Sequence, residues 1–342
     1  MFTSAGASTP MLMVGVVAWT VLSLVASGVL IVRLERLGGA LGLTEAALGL
    51  VAALAADAPE ITSAVTALSR GQHEIGVGVV LGSNVFNLAA LLGLSAVVAG
   101  RVLFDRRVVI VDGLVGGWLA LSCLGVIAGP VSPGWGLLVG SLVFVPYVAV
   151  SAMREPERLR IPMPHRVRAL LVSGVGQTER DLSRAELDIA KLGASPTRWS
   201  RDAFHAGIAI VVVVFASVQL EGTMSDLGSR WRLSPAFVGS VVLAAITSLP
   251  NAVAAVYLAR RGRGAATLSE AMNSNNINAL VGFLLPASLI GLGSPSPLSV
   301  TVATWYVGLT AAILALAFWL RGIPRAVGFL IIIAYAVFVT RF

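Results

Sequence analysis

Two carboxylates sit where lipid should not tolerate them. Asp57 and Glu60 fall close to the middle of an apolar run over 42–69. Three residues apart, they share one face of a helix. An ionised side chain at that depth costs several kcal/mol unless it meets a partner, a cavity or an ion. A second apolar run, 234–259, places Thr247, Ser248 and Asn251 at equivalent depth and spacing. The segments that follow carry Ser83 with Asn87, and Ser274 with Asn278, each an i,i+4 pair projecting a hydroxyl and an amide to one side. Every candidate ligand is a hard oxygen donor, with no His and no Cys among them. Oxygen-only sets suit Ca²⁺, Mg²⁺, Mn²⁺, Na⁺ or H⁺ rather than zinc or copper.

These residues form one motif written twice. Ala55-Ala56-Asp57-Ala58-Pro59-Glu60 and Gly82-Ser83-Asn84-Val85-Phe86-Asn87 correspond to Ile246-Thr247-Ser248-Leu249-Pro250-Asn251 and Asn273-Ser274-Asn275-Asn276-Ile277-Asn278, 191 residues later without a gap. Between 51 and 87 the offset yields ten identities, among them Pro59/Pro250, Ser83/Ser274, Asn84/Asn275 and Asn87/Asn278. Pro59 and Pro250 lack an N–H, so each should break its helix and free the carbonyl four residues earlier, Ala55 and Ile246. Broken helices expose carbonyl oxygens and half-helix ends near a midplane site, the pattern of an ion transporter. A lone membrane Ser or Asn is usually interhelical glue; a repeated set around two deep acids is not.

The elements that must position these groups are transmembrane helices. Of 342 residues, 57% are hydrophobic and only 12% charged, about half the charge of a soluble domain. At about 20 residues per span, ten spans are expected near 11–32, 42–69, 74–99, 108–128, 135–153, 203–220, 234–259, 268–291, 299–320 and 325–340. The reading is an all-α membrane protein with about ten transmembrane helices in two inverted five-helix repeats, 1–153 and 202–342, joined by a loop over 154–201. An odd number of spans per half turns the second half upside down. The uncharged start lacks a basic n-region, which argues against a cleaved signal peptide.

Net charge is +7, yet its distribution argues against nucleic acid. With both termini outside, 20 of the 24 Lys and Arg fall on the cytoplasmic side, ten of them within 154–201. Only Arg70, Arg230, Arg232 and Arg341 fall outside, so the chain follows the positive-inside pattern of a multi-pass cell-membrane protein. Within the cytoplasmic loop, Thr178 to Leu192 reads as a short amphipathic helix, either a connector or a membrane-surface or regulatory segment. Cys123 is alone, and His73, His165 and His205 are scattered, so neither a disulfide framework nor a thiolate or imidazole metal site is expected. Weaker acidic candidates are Asp112, expected to pair with a basic neighbour near Arg107, and Glu45, Glu270 and Glu74 near helix ends.

The paired motifs resemble the calcium/cation antiporter superfamily, which includes sodium/calcium and cation/proton exchangers. That family has ten helices and two inverted alpha-repeats, reading approximately Gly-Thr-Ser-x-Pro-Glu and then Gly-Ser-Asn-x-x-Asn/Asp. This chain departs in an orderly way. Ala55-Ala56-Asp57 replaces Gly-Thr-Ser, Asn251 stands where the second glutamate belongs, Asn278 stands where many members carry an acid, and Asn273 replaces glycine. Acid has moved from the second repeat into the first. The resemblance implies a secondary antiporter exchanging Ca²⁺ or a similar cation against Na⁺ or H⁺, with no enzymatic step and no cofactor. Its helices 1 and 6 would slide past a core holding the site. Asp57 and Glu60 would be charged ligands and proton acceptors. Asn87, Asn251 and Asn278 would be neutral ligands, with Ser83, Ser274, Thr247 and Ser248 lining the path. Two alternatives are a monovalent cation/proton antiporter and a transport-inactive membrane protein acting through its loop.

Overall fold

The structure is a computed structural model describing residues 8–41, 43, 45–151, 173, 199–293 and 296–342. The amphipathic segment expected over 178–192 lies outside them, as does the Glu45 side chain. The described residues form twelve helices and one small strand pair. In chain order they are α1 (Thr9–Ala40), α2 (Glu45–Ala56), α3 (Ala58–Ser69), α4 (His73–Ala99), α5 (Arg106–Ile127), α6 (Pro133–Ser151), α7 (Trp199–Arg230), α8 (Pro235–Thr247), α9 (Leu249–Arg260), α10 (264–290), α11 (Pro297–Leu320) and α12 (Arg325–Val339).

Six of these, α1, α4, α5, α6, α7 and α11, are long and apolar enough to cross a membrane. Two more crossings arise if each bent pair counts as one: α2 with α3 meet at 51°, and α8 with α9 at 50°. α10 and α12 are helical as well but stand outside these eight. α12 spans only 15 residues, about 22 Å of helix.

Both bends fall at the repeated motif, and for the expected reason. Proline is unfavourable inside a helix but well suited to its first turn. Pro59 and Pro250 accordingly sit in the opening turns of α3 and α9, and the bends fall just before, at Asp57 and Ser248. α4 and α10 stay continuous but each loosens into a wide π-helical turn, Leu88–Leu94 and Asn278–Leu284.

The 191-residue offset persists well beyond the motif. Gly71 and Gly262 turn with φ of 74° and 72°, and Gly100 and Gly291 with 85° and 91°. Asp105 and Ser296 cap α5 and α11, each accepting from the backbone N–H two residues on. Asn84 and Asn275 meet face to face. Each Nδ2 donates to the other's backbone carbonyl, both at 3.2 Å. A residue that bonds reciprocally with its own repeat counterpart lies on the axis relating the halves.

α1 and α7 pack along each other at the edge of the bundle. Each has 32 residues, about 48 Å, and so must tilt to fit a hydrocarbon core of about 30 Å. They outrun the spans expected at 11–32 and 203–220. A hydropathy reading stops at the first charges, whereas here the charged ends are neutralised in place. Arg33 donates to Asp202 at 2.6 Å at one end, and Arg70 pairs with Glu221 at the other. Val14, Val17, Val21 and Val25 line the exposed face of α1, while Ser23 and Ser27 face inward, Ser23 lying 3.3 Å from Ser217 of α7. Behind this pair, α4 and α10 form the buried centre. Gly82 lets α4 press on α8, since a Cβ there would lie 2.3 Å from the Ser240 carbonyl oxygen. β1 (Arg101–Leu103) pairs antiparallel with β2 (Gly322–Pro324), tying the end of α4 to the start of α12.

Candidate cation site

The motif residues converge where the two bent pairs meet α4 and α10. Asp57 occupies the bend itself, and Glu60 lies in the first turn of α3. A helix N-terminus carries partial positive charge, which favours carboxylates there. Both side chains are fully buried. Their hydrogen-bond donors come from the other half of the chain. Asn251 Nδ2 and Ser274 Oγ each donate to Asp57 Oδ1 at 2.7 Å, and Ser248 Oγ donates to Glu60 Oε1 at 2.9 Å.

The network extends from Ser274. Its oxygen accepts from Asn251 Nδ2 at 3.0 Å and from Asn87 Nδ2 at 2.9 Å. Asn87 also donates to Asn275 Oδ1 at 3.0 Å. Asp57, Asn87, Asn251 and Ser274 thus form one connected cluster drawn from α3's leading end, α4, α9 and α10. Glu60 and Ser248 form a second pair beside it. No ion pair involves either carboxylate among the described residues, and no group of three or more His, Cys, Asp and Glu side chains gathers there. The charge is carried by two acids and balanced by no base.

Several oxygens of this site lack a protein donor. Asp57 Oδ2, Glu60 Oε2, Asn87 Oδ1 and Asn251 Oδ1 are buried without a hydrogen-bond partner. So are both amide atoms of Asn278. The other expected lining groups are engaged locally. Thr247 Oγ1 donates to the Leu243 carbonyl of its own helix at 2.9 Å, and Ser83 Oγ approaches the Ala244 carbonyl at 3.5 Å.

Two expectations need correction. The Ala55 carbonyl freed by Pro59 is not bare, because Ser27 Oγ of α1 donates to it at 3.0 Å. Asp112 does not pair with a basic neighbour. It accepts from Ser269 Oγ at 2.6 Å and lies 3.3 Å from the Tyr147 hydroxyl, because α5 turns it inward toward α6 and α10. Glu74, at the start of α4, accepts from Ser296, the cap of α11. The Asn84/Asn275 pair escaped the site reading although both residues stood among the ten identities. Its signal was the offset itself, since equal residues on an axis can face each other.

A fold of this shape recurs among solved structures. A structure described as native YfkE covers 98% of this chain and 92% of its own with a TM-score of 0.62 at 17% identity. The sodium-calcium exchanger NCX_Mj, soaked with Na⁺ and Sr²⁺, gives 0.60 at 16% identity over 96% and 97% of the two chains. Family membership rests on sequence: residues 11–154 and 204–342 match the family described as sodium/calcium exchanger protein. The chain belongs to the sodium/calcium exchanger family. Among curated relatives, the Escherichia coli inner membrane protein YrbG is 25% identical over 277 residues, 79% of this chain and 77% of its own. The Drosophila melanogaster sodium/potassium/calcium exchanger Nckx30C is 29% identical over 119 residues, 33% of this chain but 14% of its own length. This exchanger-family chain is therefore a multi-pass membrane protein of a cation-exchange fold, and its matched residues include both copies of the motif.

Proposed function

We propose that the chain is a secondary antiporter moving Ca²⁺ or a similar hard cation across the cell membrane against Na⁺ or H⁺, with the buried cluster as its transport site. The carrying observation is the set of donorless oxygens, Asp57 Oδ2, Glu60 Oε2, Asn87 Oδ1 and Asn251 Oδ1. A buried acceptor without a partner costs about 1–3 kcal/mol, and more when charged. A cation answers all four at once, with up to two formal charges to meet it. Asn278 Oδ1 is a further candidate ligand. Thr247, Ser248, Ser83 and Ser274 contribute hydroxyls from the surrounding helix ends. Coupling follows from competition, because the same oxygens cannot hold the exported cation and the driving ions together.

One observation favours a second reading. Asn251 and Asn278 are neutral where the family motif carries acids, so both charges come from the first repeat. A site of that charge also suits a monovalent cation/proton antiporter. Everted-vesicle flux with Ca²⁺, Mg²⁺, Mn²⁺, Na⁺ and Li⁺ under imposed pH or Na⁺ gradients separates the two. Divalent uptake driven by either gradient supports the first. Monovalent exchange without divalent movement supports the second, and no flux with no cation binding removes both.

A further inference from the structure

Another buried carboxylate lies outside the central cluster. Asp112 of α5 is 3% exposed, and no ion pair reaches it among the described residues. Ser269 Oγ of α10 donates to its Oδ2 at 2.6 Å, and the Tyr147 hydroxyl of α6 lies 3.3 Å from its Oδ1. The same hydroxyl lies 2.9 Å from Asn273 Oδ1 of α10. Tyr147 and Ser269 are likewise buried.

The repeat supplies an internal control. Shifting by 191 residues, Asp112 corresponds to Ala303, Tyr147 to Phe338, Ser269 to Gly78 and Asn273 to Gly82. Ala303 and Phe338 are fully buried in the other half. The same helix packing is therefore built there without one polar side chain at these positions. Packing alone does not call for an acid, a phenol, a hydroxyl and an amide together.

Hydrogen counting shows what the cluster can do. Tyr147 has one hydroxyl hydrogen and faces two acceptors, Asn273 Oδ1 and Asp112 Oδ1, while the Ser151 hydroxyl beside it brings a hydrogen of its own. If that hydrogen goes to Asn273, the Asp112 contact needs a hydrogen of its own, so the carboxyl must carry a proton and donate to the phenol oxygen. If Asp112 is ionised, Tyr147 must turn its hydrogen to the carboxylate, and the Asn273 amide must turn to offer Nδ2 to the phenol. Gaining or losing one proton thus reverses the direction of the whole Asp112–Tyr147–Asn273 chain. A metal ion fits less well, because Asp112, unlike Asp57 and Glu60, has no buried oxygen left without a partner.

We propose that Asp112 is a proton-binding site distinct from the central cation site, and that its proton, relayed through Tyr147 and Asn273, sets the affinity of that site. Asn273 directly precedes Ser274, whose hydroxyl bonds Asp57. An ionised Asp112 adds negative field behind the cluster and favours a bound cation; a protonated one withdraws it. Asp112 lies six residues from the start of α5, about 9 Å along the helix, so the proton exchanges with water over a short path. From α6 the titratable group facing it is Tyr147. From α10 the nearest acid in sequence, Glu270, interacts with Glu35 of α1 and with Asp57. On α5 itself, Arg106 lies over the Phe318 ring of α11.

The inference rests on the cation-exchange reading, but its first test does not. Infrared spectra of the protein in nanodiscs across a pH titration should show a protonated carboxyl band that Asp112→Asn removes. Tyr147→Phe, which copies the Phe338 side of the repeat, should keep the band and shift its frequency. Cation binding by calorimetry at each pH is the second measurement. Wild-type affinity should fall as pH is lowered, and both variants should narrow that fall by about five-fold or more. Loss of no band in Asp112→Asn, or an unshifted band in Tyr147→Phe, overturns the proposal. So does an unchanged pH span of affinity in both. If no cation binds at any pH while the band is present and lost as described, the exchange reading fails and the proton site stands alone.

Discussion

At the scale of single residues, Asp57 and Asn251 are the two positions where this chain exchanges acid between its repeats, and they touch. Asn251 Nδ2 donates to Asp57 Oδ1 at 2.7 Å. A carboxylate at 251 would meet Asp57 as a like charge at hydrogen-bond distance, so the two changes belong together. Asn251→Glu alone should abolish cation binding, and Asp57→Ser alone should weaken it. The pair combined should recover most of it. Calorimetry on the three variants should give a coupling of about 1–3 kcal/mol; additive losses would refute the exchange. Glu60 accepts from the Ser248 hydroxyl and keeps the position of the family's glutamate. Glu60→Gln retains shape and that hydrogen bond but removes one of two charges. Divalent flux in vesicles should fall at least about ten-fold with normal insertion, and unchanged flux would exclude Glu60 as a ligand.

At the scale of elements, the hydrogen bonds between the α1–α7 pair and the rest are unequal, with Ser27 of α1 donating to the Ala55 carbonyl of α2 and the stronger bonds falling on α7. α1 and α7 are joined to each other by Arg33–Asp202 and by Ser23 with Ser217. α7 is joined to the turn after α3 by Arg70–Glu221 and by Gln72 Nε2 donating to Ser225 Oγ at 2.9 Å. Any sliding of α7 along the core must break these last two bonds. Arg70→Met leaves Glu221 buried without its base, at a cost of about 1–3 kcal/mol given that Arg70 is partly exposed. Thermal unfolding should register that loss, and Arg70→Met with Glu221→Leu should restore stability. Cysteines placed along 225–230 should become more accessible in the single variant. An unchanged melting temperature and labelling rate would mean the pair holds nothing.

At the scale of the molecule, the charge asymmetry predicts that both termini lie outside and 154–201 inside. Cys123 is buried, so the native protein should resist impermeant thiol reagents, and cysteines introduced at 8 or 342 should label in intact cells. A cysteine at 173 should label only after permeabilisation; the reverse pattern inverts the transporter. Much of this architecture was legible in the sequence, because the bends, the turns at Gly71 and Gly262 and the buried oxygens recur at one offset. The Asp112 cluster was not. Tyr147 and Ser269 lie 35 and 157 residues from Asp112, while Arg107 lies beside it in the chain, and a local reading assigns the nearest charge. Nor could composition foresee that Thr247 spends its hydroxyl on its own helix, or that Ser27 reaches across to Ala55.

Among the described residues, every side-chain donor to Asp57 and Glu60 belongs to the second half of the chain, 188 to 217 residues later. A ribosome adds about 5–20 residues per second, so the two acids wait roughly 10–40 s for the groups that satisfy them. During that interval α2 and α3 have no finished home in the bilayer. The first half must either stay beside the insertion machinery or carry its carboxylates in contact with water and protons. A chain stopped after residue 153 should therefore integrate poorly by carbonate extraction, and Asp57→Asn with Glu60→Gln should improve it. The two residues that would hold the cation in the finished protein are, at birth, the main obstacle to making it.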